Sequence, residues 1–162
     1  MGRRILALDL GAKRVGVAVS DATATLASPL TTLQRSGDTG RDHRSVARLV
    51  ADEEAALLIV GLPLNMDGSR GPAALSAEAE AAVLATAVGV PVVLVDERLT
   101  TVSADRMLLA RGQGAPQRRR TVDQVAAAVM LQAWLEGADG RRWRAGERPG
   151  GISDHRPAEP GR

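Results

Sequence analysis

Two continuous apolar runs, ALLIVGLP at residues 56–63 and VPVVLVDE at residues 90–97, constrain the fold of this chain more than any other feature. Runs of this length that end in Gly, Pro or acids are typical of strands buried on both faces of a parallel sheet. The Ala-rich segment between them, residues 73–88, has a strong helical propensity. Strand, crossover helix and strand together predict a βαβ unit and therefore an α/β fold.

The N-terminal part of the chain predicts a different arrangement of strands. Residues 3–9 and 15–20 are apolar runs joined by a Gly-containing turn, which indicates an antiparallel hairpin, and PLTTLQR at residues 29–35 indicates a third strand. Right-handed crossovers put the two later strands parallel to the first and on one side of it. We therefore expect a mixed five-stranded sheet, three antiparallel strands then two parallel, with the first strand near its centre and helices on both faces.

Three more helices are predicted, at residues 44–55, 102–112 and 121–137. The first has apolar residues at helical spacing, and the last begins at a capping box formed by Thr121 and Gln124 and stops at Gly137. The predicted loops between elements are residues 36–43, 64–72 and 113–120.

The last 25 residues differ from the rest in composition. Residues 138–162 hold five Gly, three Pro and six Arg without apolar periodicity, which predicts a disordered tail. The apolar fraction of 44% in 162 residues is sufficient for one well-packed domain, which we place at residues 1–137.

Composition excludes several functional classes. The chain has no Cys, which excludes disulfides and thiolate catalysis and fits a cytoplasmic location, and no apolar stretch or leader predicts a membrane or secreted protein. The net charge of +2 arises wholly in residues 138–162, so global charge is no argument for nucleic-acid binding. Phe and Tyr are absent, which disfavours base recognition by stacking on sheet aromatics.

Four acids fall at one predicted edge of the sheet. Asp9 ends the first strand, Asp96 and Glu97 end the last, and Asp123 opens the final helix. Ligand sites of α/β sheets form at the carboxyl ends of parallel strands. Without a cation, clustered carboxylates repel one another, whereas with a divalent metal such as Mg²⁺ they become ligands. The arrangement predicts that Asp9, Glu97 and Asp123 bind metal, in the simplest form two ions suited to phosphodiester cleavage.

Each acid also has a structural interpretation. Asp9 could hydrogen-bond the turn that follows it, and Asp123 could interact favourably with a helix dipole. Asp96 and Glu97 are adjacent in a strand and face opposite ways, so only one of them, expected to be Glu97, can point into the site. The coincidence of three acids at one edge, each beside basic residues, favours the metal site.

The basic residues beside these acids suggest a polyanionic substrate. They are Lys13, Arg14, Arg98, Arg118, Arg119 and Arg120, and metal plus guanidinium groups suit adjacent phosphates. A solvated loop is the alternative for the Arg run. In NMDGS, Asn65 and Ser69 are either part of a Gly turn or contacts to substrate. Neither His43 nor His155 has partners for a catalytic triad.

The segments LALDLGAKRVGVAVSD, IVGLPLNMDGSRGP, VDERLTT and TVDQVAAAVMLQAWL resemble, in this order, the four motif blocks of the YqgF family. This family is Holliday-junction-resolvase-like and is associated with nucleases of pre-16S ribosomal RNA. The resemblance covers residues 3–137 and implies an RNase H-like fold related to RuvC, Mg²⁺- or Mn²⁺-dependent cleavage, a cytoplasmic location and a role in ribosome biogenesis. It also implies that Asp9, Glu97 and Asp123 are the acidic triad, surrounded by Lys13, Arg14, Arg98 and Thr100.

Several functions remain in competition at this point. The first is a nuclease that processes the 5′ end of precursor 16S rRNA, and the second is a Holliday junction resolvase acting on branched DNA. A resolvase would be a homodimer, and the sequence leaves monomer and dimer equally open. Gln124 and Val125 stand where resolvases have a fourth acid. A non-catalytic nucleic-acid-binding module is the third. A two-domain phosphotransferase is disfavoured, because it would need a second Asp-x-Gly strand turn, which this chain lacks.

Overall fold

A computed structural model describes residues 3–97 and 115–149 of the chain. Its five-stranded sheet contains β1 (Ile5–Leu10), β2 (Arg14–Ser20), β3 (Ala27–Gln34), β4 (Leu57–Leu62) and β5 (Val92–Asp96) in the order β3-β2-β1-β4-β5. The pairs β1–β2 and β2–β3 are antiparallel, whereas β1–β4 and β4–β5 are parallel. The predicted sheet, with the first strand at its centre, is confirmed.

Four helices are described: α1 (Thr39–Asp52), α2 (Pro72–Ala87), α3 (Ala115–Glu136) and α4 (Ala138–Arg144). The predicted helix at residues 102–112 lies outside the described residues. Within the described ranges no helix combines the length and apolar character needed to cross a membrane.

The alternation of side chains along β1 divides the core into two layers. Ile5 and Ala7 pack with Ala127, Met130 and Leu131 of α3 on one face. On the other face, the intervening residues of β1 pack with α1 and α2, through Leu6, Leu8, Val46, Val50, Ala81 and Leu84. Each fully buried aliphatic side chain contributes about 1.5–3 kcal/mol to folding. The helices thus cover both faces, and α3 covers the face on which odd-numbered β1 residues, including Asp9, stand.

Two helices begin earlier than predicted. Helix α1 starts at Thr39 rather than residue 44, because the Asp38 carboxylate accepts a hydrogen bond from the Arg41 N–H (3.1 Å) and caps the helix. Helix α3 starts at Ala115, so the predicted capping box at Thr121 and Gln124 is wrong. Proline at the second position is compatible with this start, because the first turn needs no N–H from it. Residues 115–120, predicted as loop, are therefore helical.

The prediction of a disordered tail from residue 138 does not hold for its first part, because residues 138–144 form α4. Trp143 is 4% exposed, and its indole N–H donates to the Arg3 carbonyl (3.0 Å). The Arg144 guanidinium donates to the carbonyls of Ala24 and Leu135, both at 2.9 Å. One buried aromatic side chain and three hydrogen bonds to backbone carbonyls attach this segment to the domain, although it lacks apolar periodicity. Residues 150–162 of the predicted tail lie outside the described residues.

Candidate active site

Two carboxyl groups that are far apart in the sequence meet at the carboxyl edge of the parallel strands. Asp9 is the penultimate residue of β1, and Glu97 directly follows β5, where its N–H donates to the Leu62 carbonyl (3.3 Å). The side chains of Asp9 and Glu97 are hydrogen-bonded to each other. Asp96, the neighbour of Glu97, is exposed, as expected from strand alternation. The structure therefore brings together the first two predicted site acids.

Contact between two partly buried carboxyl groups disfavours full ionisation. Burial and the adjacent Asp9 raise the pKa of Glu97 to about 8. Burial also raises the pKa of Asp9, although its hydrogen bond with Glu97 opposes this, and the charge of Asp123 adds to it. The pair can hold a proton or a cation at neutral pH, since either relieves the repulsion.

Gly61 in β4 makes room for the Glu97 carboxyl group. A Cβ at Gly61 would overlap Glu97 Oε2 and would lie 3.0 Å from Met130 Sδ. A strand-interior glycine is unfavourable for the strand itself and often marks a close approach of this kind. The absence of a side chain at Gly61 therefore allows Glu97 to turn inward toward Asp9.

Gly16 makes room for the third acid, Asp123, in a similar way. It pairs with Asp9 in the β1–β2 ladder, and a Cβ on it would overlap the backbone carbonyl of Asp123. Helix α3 therefore lies directly on β2 at this point, which brings Asp123 close enough for its charge to act on Asp9. Asp123 lies in the third turn of α3, not the first turn as predicted, so a helix-dipole role does not explain it.

Asp123 is paired with a cation of the protein. The Arg14 Nε donates to Asp123 Oδ2 at 2.8 Å, and the two side chains are 30% and 22% exposed. Among residues 3–97 and 115–149 no three His, Asp or Glu side chains are arranged to hold a metal ion together. The predicted three-acid group thus consists of an Asp9–Glu97 pair, whose oxygens suit Mg²⁺ or Mn²⁺, and a third acid held by Arg14.

The structure describes only some of the remaining predicted substrate contacts. Lys13 is exposed in the tight turn between β1 and β2, beside Arg14. Arg98 and Thr100 lie outside the described residues. The backbone of Arg118, Arg119 and Arg120 belongs to α3, whereas their side chains lie outside the described part.

Asn65 and Ser69 belong to one exposed turn after β4. Asn65 Nδ2 donates to Ser69 Oγ (2.9 Å), and the Ser69 hydroxyl donates to Asp67 Oδ1 (2.6 Å). Ser69 N–H also donates to that carboxylate, at 2.8 Å. These contacts identify both residues as parts of the turn, and their contact with substrate stays a prediction.

The sequence analysis did not predict that Gly16 and Gly61 make room for the acids, or that a network surrounds His43. Glycine within a strand was the pattern that could have indicated Gly16 and Gly61. His43, expected in a loop before a helix, is buried in α1 with its Nε2 3.1 Å from Glu80 Oε1. No sequence pattern indicates that pairing, because its partners are far apart in the chain.

A mixed sheet of order β3-β2-β1-β4-β5, with α3 packed over Asp9, defines a protein of the RNase H-like fold. Thermus thermophilus RuvC, solved "in complex with Holliday junction substrate", shares this fold with a TM-score of 0.53 and 19% identity. The similarity covers 82% of this chain and 96% of that one.

Sequence comparison gives the family. The profile described as "RuvX: Holliday junction resolvase" matches residues 3–137. The "Putative pre-16S rRNA nuclease" of Anaeromyxobacter dehalogenans (strain 2CP-C) is 46% identical over 133 residues, covering 82% of this chain and 96% of the relative. The protein of the same name from Chloroflexus aurantiacus (strain ATCC 29366 / DSM 635 / J-10-fl) is 41% identical over 145 residues, covering 90% and 94%. The chain belongs to the RuvX (YqgF) family, as its motifs predicted, and is a nuclease.

Proposed function

We propose that the protein is a divalent-metal-dependent endonuclease that processes the 5′ end of precursor 16S rRNA in the cytoplasm. The names of its relatives support the substrate. The hydrogen-bonded Asp9–Glu97 pair is the observation that carries the mechanism, because two partly buried carboxyl groups in contact are unfavourable unless a cation or proton neutralises them.

Asp9 and Glu97 would hold the ion, and Asp123 would join them on release from Arg14. Bound there, Mg²⁺ or Mn²⁺ supplies Lewis-acid activation of water and neutralisation of charge on the scissile phosphate. Two ions are the simplest form for an in-line displacement.

Arg14 and Asp123 exchange partners in this proposal. The Arg14 guanidinium neutralises Asp123 before substrate arrives, and then moves to a phosphate of the nucleic acid. The carboxylate left behind completes the acidic site. Lys13, exposed in the same turn, contacts a neighbouring phosphate, and Arg98, Thr100 and the Arg118–Arg120 run extend this contact along the backbone.

A Holliday junction resolvase is the second candidate, favoured by the description of the family and by the fold of RuvC. It would require a dimer with two sites. Gln124, where a resolvase would have a further acid, favours the first proposal.

The test compares the wild-type protein and Asp9→Asn on precursor 16S rRNA and on four-way DNA, with Mg²⁺, Mn²⁺ or EDTA. We expect metal-dependent cleavage of the RNA, reduced in Asp9→Asn by more than about 100-fold, because even outer-shell partners of a metal commonly contribute 10–100-fold. RNA affinity should be unchanged or higher, since a negative charge is lost.

A second measurement is independent of turnover. At 100 times its Kd, the metal should stabilise the wild-type protein by about 2.7 kcal/mol and Asp9→Asn by much less. Asp139→Asn, an exposed acid of α4, is the control. Retained cleavage in Asp9→Asn contradicts the mechanism, whereas RNA binding without cleavage by the wild-type protein leaves a binding module as the explanation. Cleavage of the junction alone, by a dimer in solution, favours the resolvase.

A further inference from the structure

Behind the β1–β2 turn, on the face opposite the carboxylates, side chains from three elements form a mostly buried charged network. Arg35, directly after β3, donates from Nη1 and Nη2 to the two carboxylate oxygens of Glu80 in α2, at 2.8 and 3.0 Å. His43 of α1 contacts the same carboxylate. The side chains of Arg35, Glu80 and His43 are 22%, 16% and 5% exposed.

The network extends to the backbone of the turn. Arg35 Nε donates to the Gly11 carbonyl at 2.7 Å, and the Arg35 N–H donates to the Lys13 carbonyl at 2.9 Å. Inside the turn, the Gly11 N–H donates to the Arg14 carbonyl, also at 2.9 Å. One residue, Arg35, therefore holds two carbonyls of the four-residue segment that carries Lys13 and Arg14.

Stability alone is a weak reason for such a network. A buried ion pair replaced by apolar residues of similar volume is often neutral or stabilising, because desolvation offsets the attraction. Leu10, Leu33 and Leu84 surround a small cavity beside the network, so apolar packing is available there. Although burial acts to raise it, hydrogen bonds from Arg35 and His43 lower the pKa of Glu80, which keeps this carboxylate charged.

We propose that Arg35 and Glu80 are positioning residues that fix the β1–β2 turn, and through it Lys13 and Arg14, for contact with the nucleic-acid backbone. Glu80 fixes the plane of the Arg35 guanidinium through two hydrogen bonds, and His43 fixes Glu80. The part of this inference that concerns substrate rests on the proposed function, whereas the fixing of the turn does not.

The first test is a paired substitution, Arg35→Met with Glu80→Leu, which removes both charges and leaves neither unpaired. The backbone hydrogen bond from residue 35 to Lys13 is retained. We expect amide hydrogen exchange at Gly11 to become about tenfold faster or more, because the turn opens more often. Should the paired variant fail to fold, Glu80→Gln keeps the shape of the side chain and removes its charge. We then expect a smaller increase in the rate of Gly11 amide exchange.

The second test asks whether the network acts through Lys13. We expect the paired substitution to raise KM for precursor 16S rRNA about tenfold, as for the loss of one charged contact, with kcat changed less than threefold. In a Lys13→Ala background the same substitution should raise KM by a smaller factor, since one of the two cations that the network positions is already gone. A general loss of stability would lower activity equally in both backgrounds.

Arg4 and Glu53 offer a matched control, an ion pair of 3.3 Å at the opposite end of β1. Arg4→Met with Glu53→Leu should leave Gly11 exchange and KM unchanged. Unaltered Gly11 exchange in the folded Arg35 and Glu80 variants, or an equal rise in KM with and without Lys13, overturns the inference. Faster Gly11 exchange together with full cleavage by Asp9→Asn supports the fixing of the turn and contradicts only the proposed function.

Discussion

The backbone of Asp123 packs directly against Gly16, in space that any larger residue would occupy. Gly16 is in turn the ladder partner of Asp9. The separation of the first and third acids of the site is therefore set by the absence of a side chain at a single strand position.

Gly16→Ala should damage both stability and cleavage. Its methyl group would overlap the Asp123 carbonyl, so α3 must shift away from the sheet, at a cost of about 1–3 kcal/mol or more. Cleavage should fall at least about tenfold, because misplacement of about 1 Å in an active site can cost 100-fold. Urea denaturation and single-turnover cleavage measure the two effects. Gly89→Ala, where a Cβ meets nothing within 4 Å, is the control, and equal behaviour of the two variants would contradict the assignment.

The free energy of unfolding of the metal-free protein should fall as pH rises. The folded-state pKa of Glu97 is about 8, above its ordinary value of 4.5, so the folded state binds more protons than the unfolded state between these values. The stabilising contribution is complete below pH 4.5 and is lost as pH rises through about 8.

Glu97→Gln tests this pH dependence. With EDTA present, the variant should be more stable than the wild-type protein at pH 9 by more than about 1 kcal/mol, since one pKa unit corresponds to 1.36 kcal/mol. Asp96→Asn should keep most of the wild-type slope, because Asp96 is the smallest of the influences on Glu97. Parallel pH curves for wild type and Glu97→Gln would refute the coupling.

Arg14→Gln should change two affinities in opposite directions. Loss of the guanidinium frees Asp123, so Mg²⁺ or Mn²⁺ should bind more tightly, by about 1.4–5-fold for a partly exposed ion pair of about 0.2–1 kcal/mol. RNA should bind more weakly and with a lower salt dependence, since one phosphate contact is lost. Thermal stability against metal concentration and fluorescence anisotropy at several salt concentrations provide the readouts. Arg4→Gln is the control, and weaker binding of both ligands to Arg14→Gln would argue against the exchange of partners.

Trp143→Ala should destabilise the fold by about 3–5 kcal/mol, as usual for a buried Trp. The indole packs in the core, and the Arg3 guanidinium lies 5.1 Å from its ring centroid. Chemical denaturation measures the loss. Arg142→Ala in the same helix removes a side chain that is 68% exposed and should cost less than about 0.5 kcal/mol. A similarly small effect for Trp143→Ala would favour the predicted disordered tail over a packed helix for residues 138–144.

The order and direction of the strands could be predicted because they depend on local patterns. Continuous apolar runs indicate buried strands, and the handedness of crossovers leaves few topologies. The starts of α1 and α3 could not be located as well, since capping by Asp38 and tolerance of proline in a first turn are weaker patterns than apolar periodicity. Helix α4 was not predicted, because one buried Trp and a few hydrogen bonds to carbonyls produce no repeating apolar pattern in the sequence.

The position of the candidate acids at one edge of the sheet was predictable, but their partners were not. Glu97 and Asp9 meet as expected from parallel strands that end at one edge. The pairing of Asp123 with Arg14, and of Glu80 with Arg35 and His43, joins residues separated by 37 to 109 positions. Such pairs depend on how helices pack against the sheet, which no pattern in a single sequence encodes.

The late position of α3 has a consequence for biosynthesis. Nascent chains emerge N-terminus first, at roughly 5–20 residues per second, so β1 to β5 leave the ribosome before Ala115–Glu136 does. Until then the sheet lacks the layer that covers Ile5 and Ala7, and Asp123 is missing. The acidic site is therefore incomplete until the segment that carries Asp123 has been synthesised and has packed on the sheet.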